Sequence, residues 1–147
     1  MEIIEYFKNQ DKGWIKKIRK CDWGSAWFLA DLLEREKFQK TVGGGELFIM
    51  ADGDRLAVFA TLAHKDCIND DSLFPWIGFV FTAPEYRGHR YSGEVIDYAC
   101  NKAKNQGYNK VYIATDHIGF YEKYGFTYIE NRIDIYGEDG RIYYKDI

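Results

Sequence analysis

The sequence predicts an α/β protein, more narrowly an α+β fold built on a mixed β-sheet, in a single domain of residues 1–147. Three observations predict it. The length of 147 residues, with 46% hydrophobic and 29% charged residues, fits one globular domain. Asp52-Gly53-Asp54 is a hairpin turn between two apolar, β-prone runs. From Trp76 to Thr115 a strand, a helix and a strand follow one another, which predicts a parallel crossover.

The N-terminal part reads as a strand followed by two helices. Glu2 to Phe7 is β-prone, and Asp11 is placed to cap a helix. The apolar residues of this first helix fall at helical spacing: Trp14, Ile15 and Ile18. A second helix is predicted over Ala26 to Phe38, after the break at Gly24-Ser25. Its apolar residues are Trp27, Phe28, Leu32 and Leu33.

Three strands are predicted in the middle of the chain. Glu46 to Ala51 and Arg55 to Ala63 flank the Asp-Gly-Asp turn and form a hairpin. Trp76 to Thr82 is an almost continuous apolar run, which is typical of a strand buried on both faces.

The C-terminal part alternates helices and strands. Ser92 to Gln106 has an apolar helical face, and Gly107 lies where a C-cap glycine is expected. Lys110 to Thr115 is predicted as a strand, and Asp116 as the cap of a helix from about Ile118 to Tyr124. The remaining strand segments are Phe126 to Ile129, Arg132 to Tyr136 and Arg141 to Lys145. The predicted order is therefore β-α-α-β-β-β-α-β-α-β-β.

The composition argues against several classes of protein. A net charge of −3 provides no electrostatic footprint for nucleic acid. Three cysteines without a CxxC pair and three scattered histidines predict neither a disulfide framework nor a metal site. No signal peptide or membrane-spanning run is visible, so the chain is predicted to be cytoplasmic, without a membrane partner.

The segment between the strand ending at Thr82 and the helix starting at Ser92 is rich in small and cationic residues. The start of a helix leaves backbone N–H groups unpaired and has a partial positive charge, so it suits a diphosphate. Gly88 and Gly93 allow close approach of the backbone to an anion. Local physics alone leaves a second interpretation open: an ordinary basic loop before a capped helix.

Two motifs resemble a known family. The segment Pro84-Glu85-Tyr86-Arg87-Gly88-His89-Arg90-Tyr91-Ser92 resembles the acyl-CoA signature of the GNAT superfamily of N-acyltransferases, Q/R-x-x-G-x-G/A, with Arg87 in the first position and Ser92 in the last. Phe120-Tyr121-Glu122-Lys123-Tyr124-Gly125-Phe126 resembles the second signature, leucine-tyrosine-glutamate-lysine-x-glycine-phenylalanine. The predicted element order matches the family along nearly the whole chain.

The resemblance implies acetyl-CoA as co-substrate and no metal. It places the co-substrate in a V-shaped gap between the strand ends at Thr82 and Thr115, where the pantetheine arm pairs with strand backbone by β-augmentation. The residues it assigns to the co-substrate are Val80, Phe81, Thr82, Arg87, Gly88, His89, Arg90, Tyr91, Ser92 and Gly93. Arg90 departs from the family, which usually has glycine there. Its backbone N–H is expected to reach phosphate if its φ is negative, and its side chain is the alternative contact.

The resemblance also implies the catalytic groups. Tyr121 aligns with the tyrosine that hydrogen-bonds the CoA sulfur and serves as general acid, with Tyr124 as the rival. Backbone N–H groups near Phe79 or Val80 are expected to polarise the thioester carbonyl. The general base is not evident, because the apolar strand contains no carboxylate. The alternatives are a water chain or one of four loop residues: His64, Asp70, Asp71 and His117.

The acceptor is expected at the segment Cys21 to Trp27, with Asp22, Trp23 and Trp27 as lining residues. Rings and one acid suit the primary amine of a small metabolite, which is the leading hypothesis for an acetyl-CoA-dependent N-acetyltransferase working by direct attack in a ternary complex. The alternatives are a peptide or protein N-terminus as acceptor, and a non-catalytic sensor of acyl-CoA or a metabolite. Either a monomer or a homodimer is compatible with the sequence.

Overall fold

The computed structural model describes residues 1–147 and is organised around one seven-stranded mixed sheet. The strands lie in the order β1-β2-β3-β4-β5-β7-β6. Their bounds are β1 Glu2–Glu5, β2 Gly45–Asp52, β3 Arg55–Ala63, β4 Trp76–Thr82, β5 Lys110–Thr115, β6 Thr127–Ile133 and β7 Asp139–Asp146. All neighbours are antiparallel except β4 and β5. The predicted mixed sheet with one parallel pair is confirmed.

Five helices pack on the two faces of the sheet. Their bounds are α1 Tyr6–Asn9, α2 Gly13–Arg19, α3 Gly24–Glu34, α4 Phe38–Val42 and α5 Tyr91–Asn105. One face packs against α5 through a cluster of 19 buried residues, and the other packs against α1 to α4 through a cluster of 17. No helix combines the length and hydrophobicity needed to cross a membrane.

The helix after Asp11 forms as predicted, with its three predicted apolar residues buried, and Asp11 Oδ1 accepts a 3.0 Å hydrogen bond from Gly13 N–H. The long helix predicted over Ala26 to Phe38 is wrong, because α3 ends at Glu34 and α4 starts separately at Phe38. Glu36 between them has φ of +54°, a left-handed conformation that an α-helix cannot contain. The first strand is also shorter than predicted, since α1 begins at Tyr6.

Two further predictions near the site are wrong. The helix expected over Ile118 to Tyr124 is only a 3₁₀ turn at Tyr121–Tyr124, because Gly119 upstream has φ of +84°. The strand β4 is buried on both faces only at Trp76 and Ile77; the residues from position 78 to 82 are half-buried. A continuous apolar run predicts burial, but the end of this strand borders an open cleft instead.

Candidate active site

The two parallel strands β4 and β5 are paired at one position only, Trp76 with Tyr112. Beyond that pair they separate towards Thr82 and Thr115, which produces the V-shaped gap that the resemblance implied. A cavity of about 630 Å³, called here the cleft, lies in the gap. Its lining residues are Asp22, Trp23, Val80, Phe81, Thr82, Tyr86, Arg87, Gly88, Arg90, Tyr91, Ser92, His117, Phe120, Tyr121, Lys123 and Tyr124.

The loop before α5 has free hydrogen-bond donors, and Gly88, Arg90, Tyr91 and Ser92 of this loop line the cleft. The backbone N–H groups of residues 88–92, five in succession, donate to no acceptor in the protein. The next N–H, that of Gly93, donates to Arg90 O at 3.1 Å and begins the helical pattern. Unpaired N–H groups at the start of a 15-residue helix form a site for an anion, which the helix dipole also favours.

Arg87 and Arg90 border this row of donors in different ways. Arg87 Nε donates to Thr82 O at 2.9 Å, and its guanidinium lies 5.5 Å from the centre of the Phe81 ring, so the end of β4 holds this side chain. Arg90 has φ of +60°, so the condition for its backbone contact with phosphate, a negative φ, is not met, and its side chain remains the alternative contact. A φ of +60° gives the left-handed conformation that favours glycine, and the guanidinium of Arg90 lies 5.1 Å from the centre of the Tyr124 ring.

Two residues of the predicted loop set do not line the cleft. His89 is exposed, and its ring lies beside Tyr91 at 5.3 Å between centroids. Gly93 is buried, and a Cβ atom at this position would overlap the ring of Tyr124. Glycine at position 93 therefore lets α5 pack against the 3₁₀ turn that carries Tyr121 and Tyr124, rather than letting backbone approach an anion.

A bulge in β4 lies at the centre of the site. The pairs Phe59–Phe81 and Thr61–Gly78 show one extra residue in β4 relative to β3. Phe79, inside the bulge, has φ of +50°, which a bulky side chain adopts only when its surroundings require it. A bulge leaves one residue unpaired in the ladder and redirects its neighbours. The bulge lies between the cleft and a second cavity, since Val80 lines the cleft and Phe79 lines the second cavity.

Tyr121 lines the cleft while its ring is almost entirely buried, with 5% of the residue exposed. Its hydroxyl forms no hydrogen bond in the protein, and no buried side-chain oxygen lacks a partner, so the hydroxyl reaches the cleft. Burial raises the pKa of Tyr121, and the nearby charge of Asp66 adds to the effect. The phenol is therefore protonated at neutral pH and free to donate to a group in the cleft. Tyr124 lines the cleft as a half-buried side chain.

A second cavity of about 310 Å³, called here the acidic pocket, adjoins the cleft, because Trp23 lines both. Its lining residues are Trp23, Ser25, Phe28, Leu32, Thr41, Val42, Lys65, Asp66, Cys67, Gly78, Phe79, Ala114, Asp134, Ile135, Tyr136 and Glu138. Aromatic rings form much of its wall. Its lining includes three carboxylates, Asp66, Asp134 and Glu138, and one lysine, Lys65. Such a surface favours a cationic ligand with an apolar body.

The three residues predicted to contact the acceptor are placed differently. Asp22 lines the cleft, and Trp23 lines both cavities, where its ring stacks on Phe81 at 5.5 Å. Trp27 lines neither cavity: it is 48% exposed, and its Nε1 donates to Cys21 O at 2.7 Å. The prediction for Trp27 does not fit the structure, because the buried face of α3 is formed by other residues, Ala26, Leu29, Ala30, Leu32 and Leu33.

The residues considered as general bases are mostly engaged elsewhere. Asp70 accepts from Arg132 at 2.6 Å, and Asp71 is exposed in the same loop. His64 packs on Phe74 in a separate cavity. Only His117 of the four lines the cleft.

Asp66, a carboxylate of the acidic pocket, was not predicted as a site residue from the sequence. Burial raises the pKa of Asp66, and the charge of Asp134 adds to the effect. Its sequence signal was weak: an acid in the polar loop after β3, like its neighbours Asp70 and Asp71. Only the return of this loop over β4 distinguishes it.

No group of three or more His, Cys, Asp or Glu side chains is arranged to hold a metal ion. All three cysteines are free. Burial raises the pKa of Cys21 and that of Cys100 to about 11, and it raises the pKa of Cys67 as well. Thiols in this state are poor nucleophiles at neutral pH. The reactive groups of the site are therefore a phenol, carboxylates, the imidazole of His117 and backbone donors.

The structure brings together a cleft between splayed parallel strands, a row of backbone donors at a helix start and a buried tyrosine. The family model for the acetyltransferase (GNAT) family matches residues 15–126, and this chain belongs to that family. No curated protein sequence matches the chain.

Solved structures of acetyltransferases share the fold. The aminoglycoside 6'-acetyltransferase type Ii is similar with a TM-score of 0.74 at 17% identity, covering 99% of this chain and 97% of that one. An acetyltransferase from Streptococcus agalactiae has a TM-score of 0.69 at 20% identity, covering 99% and 98%. A GNAT family acetyltransferase from Elizabethkingia anophelis, with acetyl-CoA bound, has a TM-score of 0.61 at 18% identity, covering 77% and 83%.

Proposed function

We propose that the protein transfers an acetyl group from acetyl-CoA to the primary amine of a small metabolite, by direct attack in a ternary complex. The observation that carries this proposal is the meeting of two different cavities at the β4 bulge. The cleft has a row of anion-binding N–H groups, and the acidic pocket has rings and carboxylates. An anionic acyl donor and a cationic acceptor therefore have separate places that adjoin near Tyr121.

The donor is assigned to the cleft. The free N–H groups of Gly88, Tyr91 and Ser92 and the side chains of Arg87 and Arg90 bind the pyrophosphate. The unpaired edge of β4 at Val80 and Thr82 provides backbone groups for the pantetheine amides, as an added strand would. The acetyl group of a donor extended along this edge then points towards the bulge.

The chemistry requires one bond to form and one to break. The neutral amine attacks the thioester carbon, and the C–S bond breaks as the tetrahedral intermediate collapses. Backbone N–H groups at the bulge, near Phe79 and Val80, stabilise the developing oxyanion. Tyr121 gives its proton to the departing thiolate and regains one from the nitrogen that has been acylated. The raised thiol pKa values oppose a route through an acetylated cysteine.

The test has two arms on the full chain. Calorimetric titration with acetyl-CoA is expected to give a saturable heat, and a thiol-detection assay is expected to show CoA release that depends on an added amine. No heat and no thermal shift at millimolar acetyl-CoA contradicts the proposal. Binding without release by any amine, in a panel of small amines and peptides with free N-termini, favours a sensor. Release only with the peptides favours a peptide or protein N-terminus as acceptor.

A further inference from the structure

The loop between β3 and β4 places one carboxyl group at an unusual position. Asp66 lies against the backbone of β4, where a Cβ atom on Gly78 would overlap Asp66 Oδ1 and lie 3.3 Å from Thr61 Oγ1. Position 78 is part of the bulged segment that separates the acidic pocket from the cleft. The carboxyl group is thus held beside the place where donor and acceptor meet.

No cation of the protein neutralises this group. None of the ion pairs in the structure includes Asp66. Its carboxyl group forms no hydrogen bond within ordinary geometry, and the neighbouring backbone and thiol of Cys67 only partly offset the rise in its pKa. The titratable groups around it are Lys65, Cys67, Tyr121, Asp134, Tyr136 and Glu138. Asp66 is half-buried, so its carboxylate loses part of its hydration without gaining a cation, and a cationic ligand would offset that loss.

The walls of the pocket define the rest of the ligand. Phe28 and Phe79 stack with their ring centres 6.3 Å apart, and Trp23 continues this aromatic surface to the cleft. Tyr136, which is 64% exposed, also lines the pocket. The pocket therefore offers aromatic surface for an apolar body and negative charge for an ammonium, while Asp134 and Glu138 would repel a second, anionic group.

We infer that the acceptor is a small amine with an apolar, preferably aromatic, body and no carboxylate, and that Asp66 receives its ammonium group and takes the proton that must leave before attack. This inference rests on the proposed function. The ammonium loses one proton to Asp66, which passes it to solvent. After attack, the nitrogen loses a second proton, which replaces the one that Tyr121 gives to sulfur. The overall transfer releases one proton.

The test uses the thiol-release assay with matched amines at saturating acetyl-CoA. Phenylalaninamide and 2-phenylethylamine are expected to react at least tenfold faster, by kcat/KM, than phenylalanine, which has the same ring and a carboxylate. Asp66→Asn should lower kcat/KM for 2-phenylethylamine by about 10²–10⁴ while acetyl-CoA affinity is unchanged. The acidic limb of the wild-type pH profile should disappear in this variant. Asp71→Asn, an exposed acid in the same loop, is the control.

Each outcome decides the inference. A kcat/KM of Asp66→Asn within threefold of wild type, or phenylalanine preferred over its amide, overturns it. If the activity of Asp66→Asn fell together with its melting temperature, the role would be structural. Glu138→Gln then serves as a second variant, with the expectation that it relaxes the discrimination against phenylalanine. If other amines release CoA and Asp66→Asn has no effect on them, the inference fails while the proposed function remains. If no amine releases CoA, the proposed function itself fails.

An independent observation concerns β6, the edge strand of the sheet. It pairs with β7 on one side only, and six of its seven residues are exposed. Its sequence from Ile129 to Ile133 is Ile-Glu-Asn-Arg-Ile. In an antiparallel register centred on Asn131, Glu130 faces Arg132 of a second copy, and Ile129 faces its Ile133. The Glu130–Arg132 pair therefore occurs twice when the strand meets itself, and Ile129 approaches Ile133 from a bulge in β6.

We propose that two copies of the chain pair through β6 around a two-fold axis at Asn131. Such an interface is isologous, since each pair occurs twice. It satisfies the free backbone groups of an edge that otherwise invites uncontrolled pairing. It also covers Ile129 and Ile133, which are 42% and 65% exposed in the single chain.

Sedimentation equilibrium is expected to show a dimer of the wild-type protein at micromolar concentration. Glu130→Arg and Arg132→Glu each place like charges opposite each other, so each alone should be monomeric. An equimolar mixture should restore a dimer, because each variant then complements the other. Since Arg132 also pairs with Asp70, Ile133→Lys is a second disrupting variant. A monomeric wild type at 100 times that concentration, or a mixture that stays monomeric while both variants are folded, contradicts the proposal.

Discussion

The carboxyl group of Asp66 and the backbone of Gly78 are in direct contact, at the point where β4 bulges between the two cavities. A side chain at position 78 would overlap Asp66 Oδ1, so this approach exists only because residue 78 is glycine. The φ of Gly78 is not positive, and the requirement is therefore for space rather than for conformational freedom. The relationship connects a residue in a polar loop to the centre of the sheet.

The first prediction follows from this contact. Gly78→Ala should lower kcat/KM for the amine at least tenfold, because the new methyl group displaces the Asp66 carboxyl. Acetyl-CoA affinity should stay within about threefold. Steady-state kinetics and calorimetry measure the two effects. Gly140→Ala is the control, since a Cβ atom there meets its nearest neighbour at an ordinary 3.8 Å. Equal kinetics of Gly78→Ala and wild type would show that the position of Asp66 does not matter.

The second prediction concerns Arg87. Its side chain is held by Thr82 O and Phe81 at the end of β4, beside the row of free N–H groups. A hydrogen bond between charged groups contributes about 1.5–3 kcal/mol, so Arg87→Ala should weaken acetyl-CoA binding about ten- to a hundredfold. Calorimetry measures the change, with the exposed Arg35→Ala as control. An unchanged Kd would remove Arg87 from the site.

The third prediction compares two tyrosines. Tyr121→Phe keeps the buried ring but removes the donor in the cleft, so kcat should fall by about 10²–10⁴ while the fold and acetyl-CoA affinity survive. Tyr124→Phe should have a much smaller effect, because its ring contacts Gly93 and Arg90 at the border of the cleft. The thiol-release assay measures both, with chemistry shown to be rate-limiting. Full kcat in Tyr121→Phe would assign the proton transfer to water.

The fourth prediction is that Asp66→Asn stabilises the free enzyme. The pKa of Asp66 is raised in the folded state, so folding favours the protonated carboxyl group. As pH rises above about 3.8, the ionised carboxylate increasingly lowers the free energy of unfolding. At pH 7 the wild type therefore has a penalty that asparagine does not have. Asp66→Asn should melt at a higher temperature than wild type at pH 7, and the difference should shrink as pH falls towards 4. A lower melting temperature at pH 7 would contradict this reasoning.

The fifth prediction concerns Glu5, which connects the N-terminus to α5. It accepts hydrogen bonds from Tyr98 and Lys102, both at 2.6 Å. These bonds, that from Lys102 above all, lower the pKa of Glu5 from 4.5 to about 2. Its contribution is thus complete above pH 4.5 and is lost as pH falls towards 2. In urea unfolding at pH 7, Glu5→Gln should lower the free energy of unfolding by about 1–3 kcal/mol. Glu2→Gln, at an exposed neighbour, should change it little. If Glu5→Gln lowered the free energy of unfolding equally at pH 2 and pH 7, the ion pair would be excluded as the cause.

Local sequence patterns were sufficient to predict an element where residues close together in the chain determine its bounds. The bounds of β3, β4 and β5 were predicted to the residue, since apolar runs between turn residues define them. Errors arose where one residue has an unexpected backbone conformation. Glu36 and Gly119 have positive φ and end or shorten predicted helices, and nothing in hydrophobic periodicity reports φ.

The site shows the same division. The loop from Arg87 to Ser92 is a contiguous motif, so the sequence could predict both its place at a helix start and the kind of anion it suits. Trp27 was predicted on the basis of its segment, and the rotation of α3 turned it to solvent instead.

What the sequence by itself determined was the mixed sheet, the crossover around α5 and the two family motifs, because these depend on short-range periodicity and contiguous residues. Only the tertiary structure decided that Asp66 lies on Gly78, that Trp23 borders both cavities and that Arg90 adopts a left-handed conformation. Asp66 and Gly78 are 12 positions apart in the chain and meet only because the sheet brings the loop back over β4. Contacts of this kind depend on packing in three dimensions, which no local pattern of residues encodes.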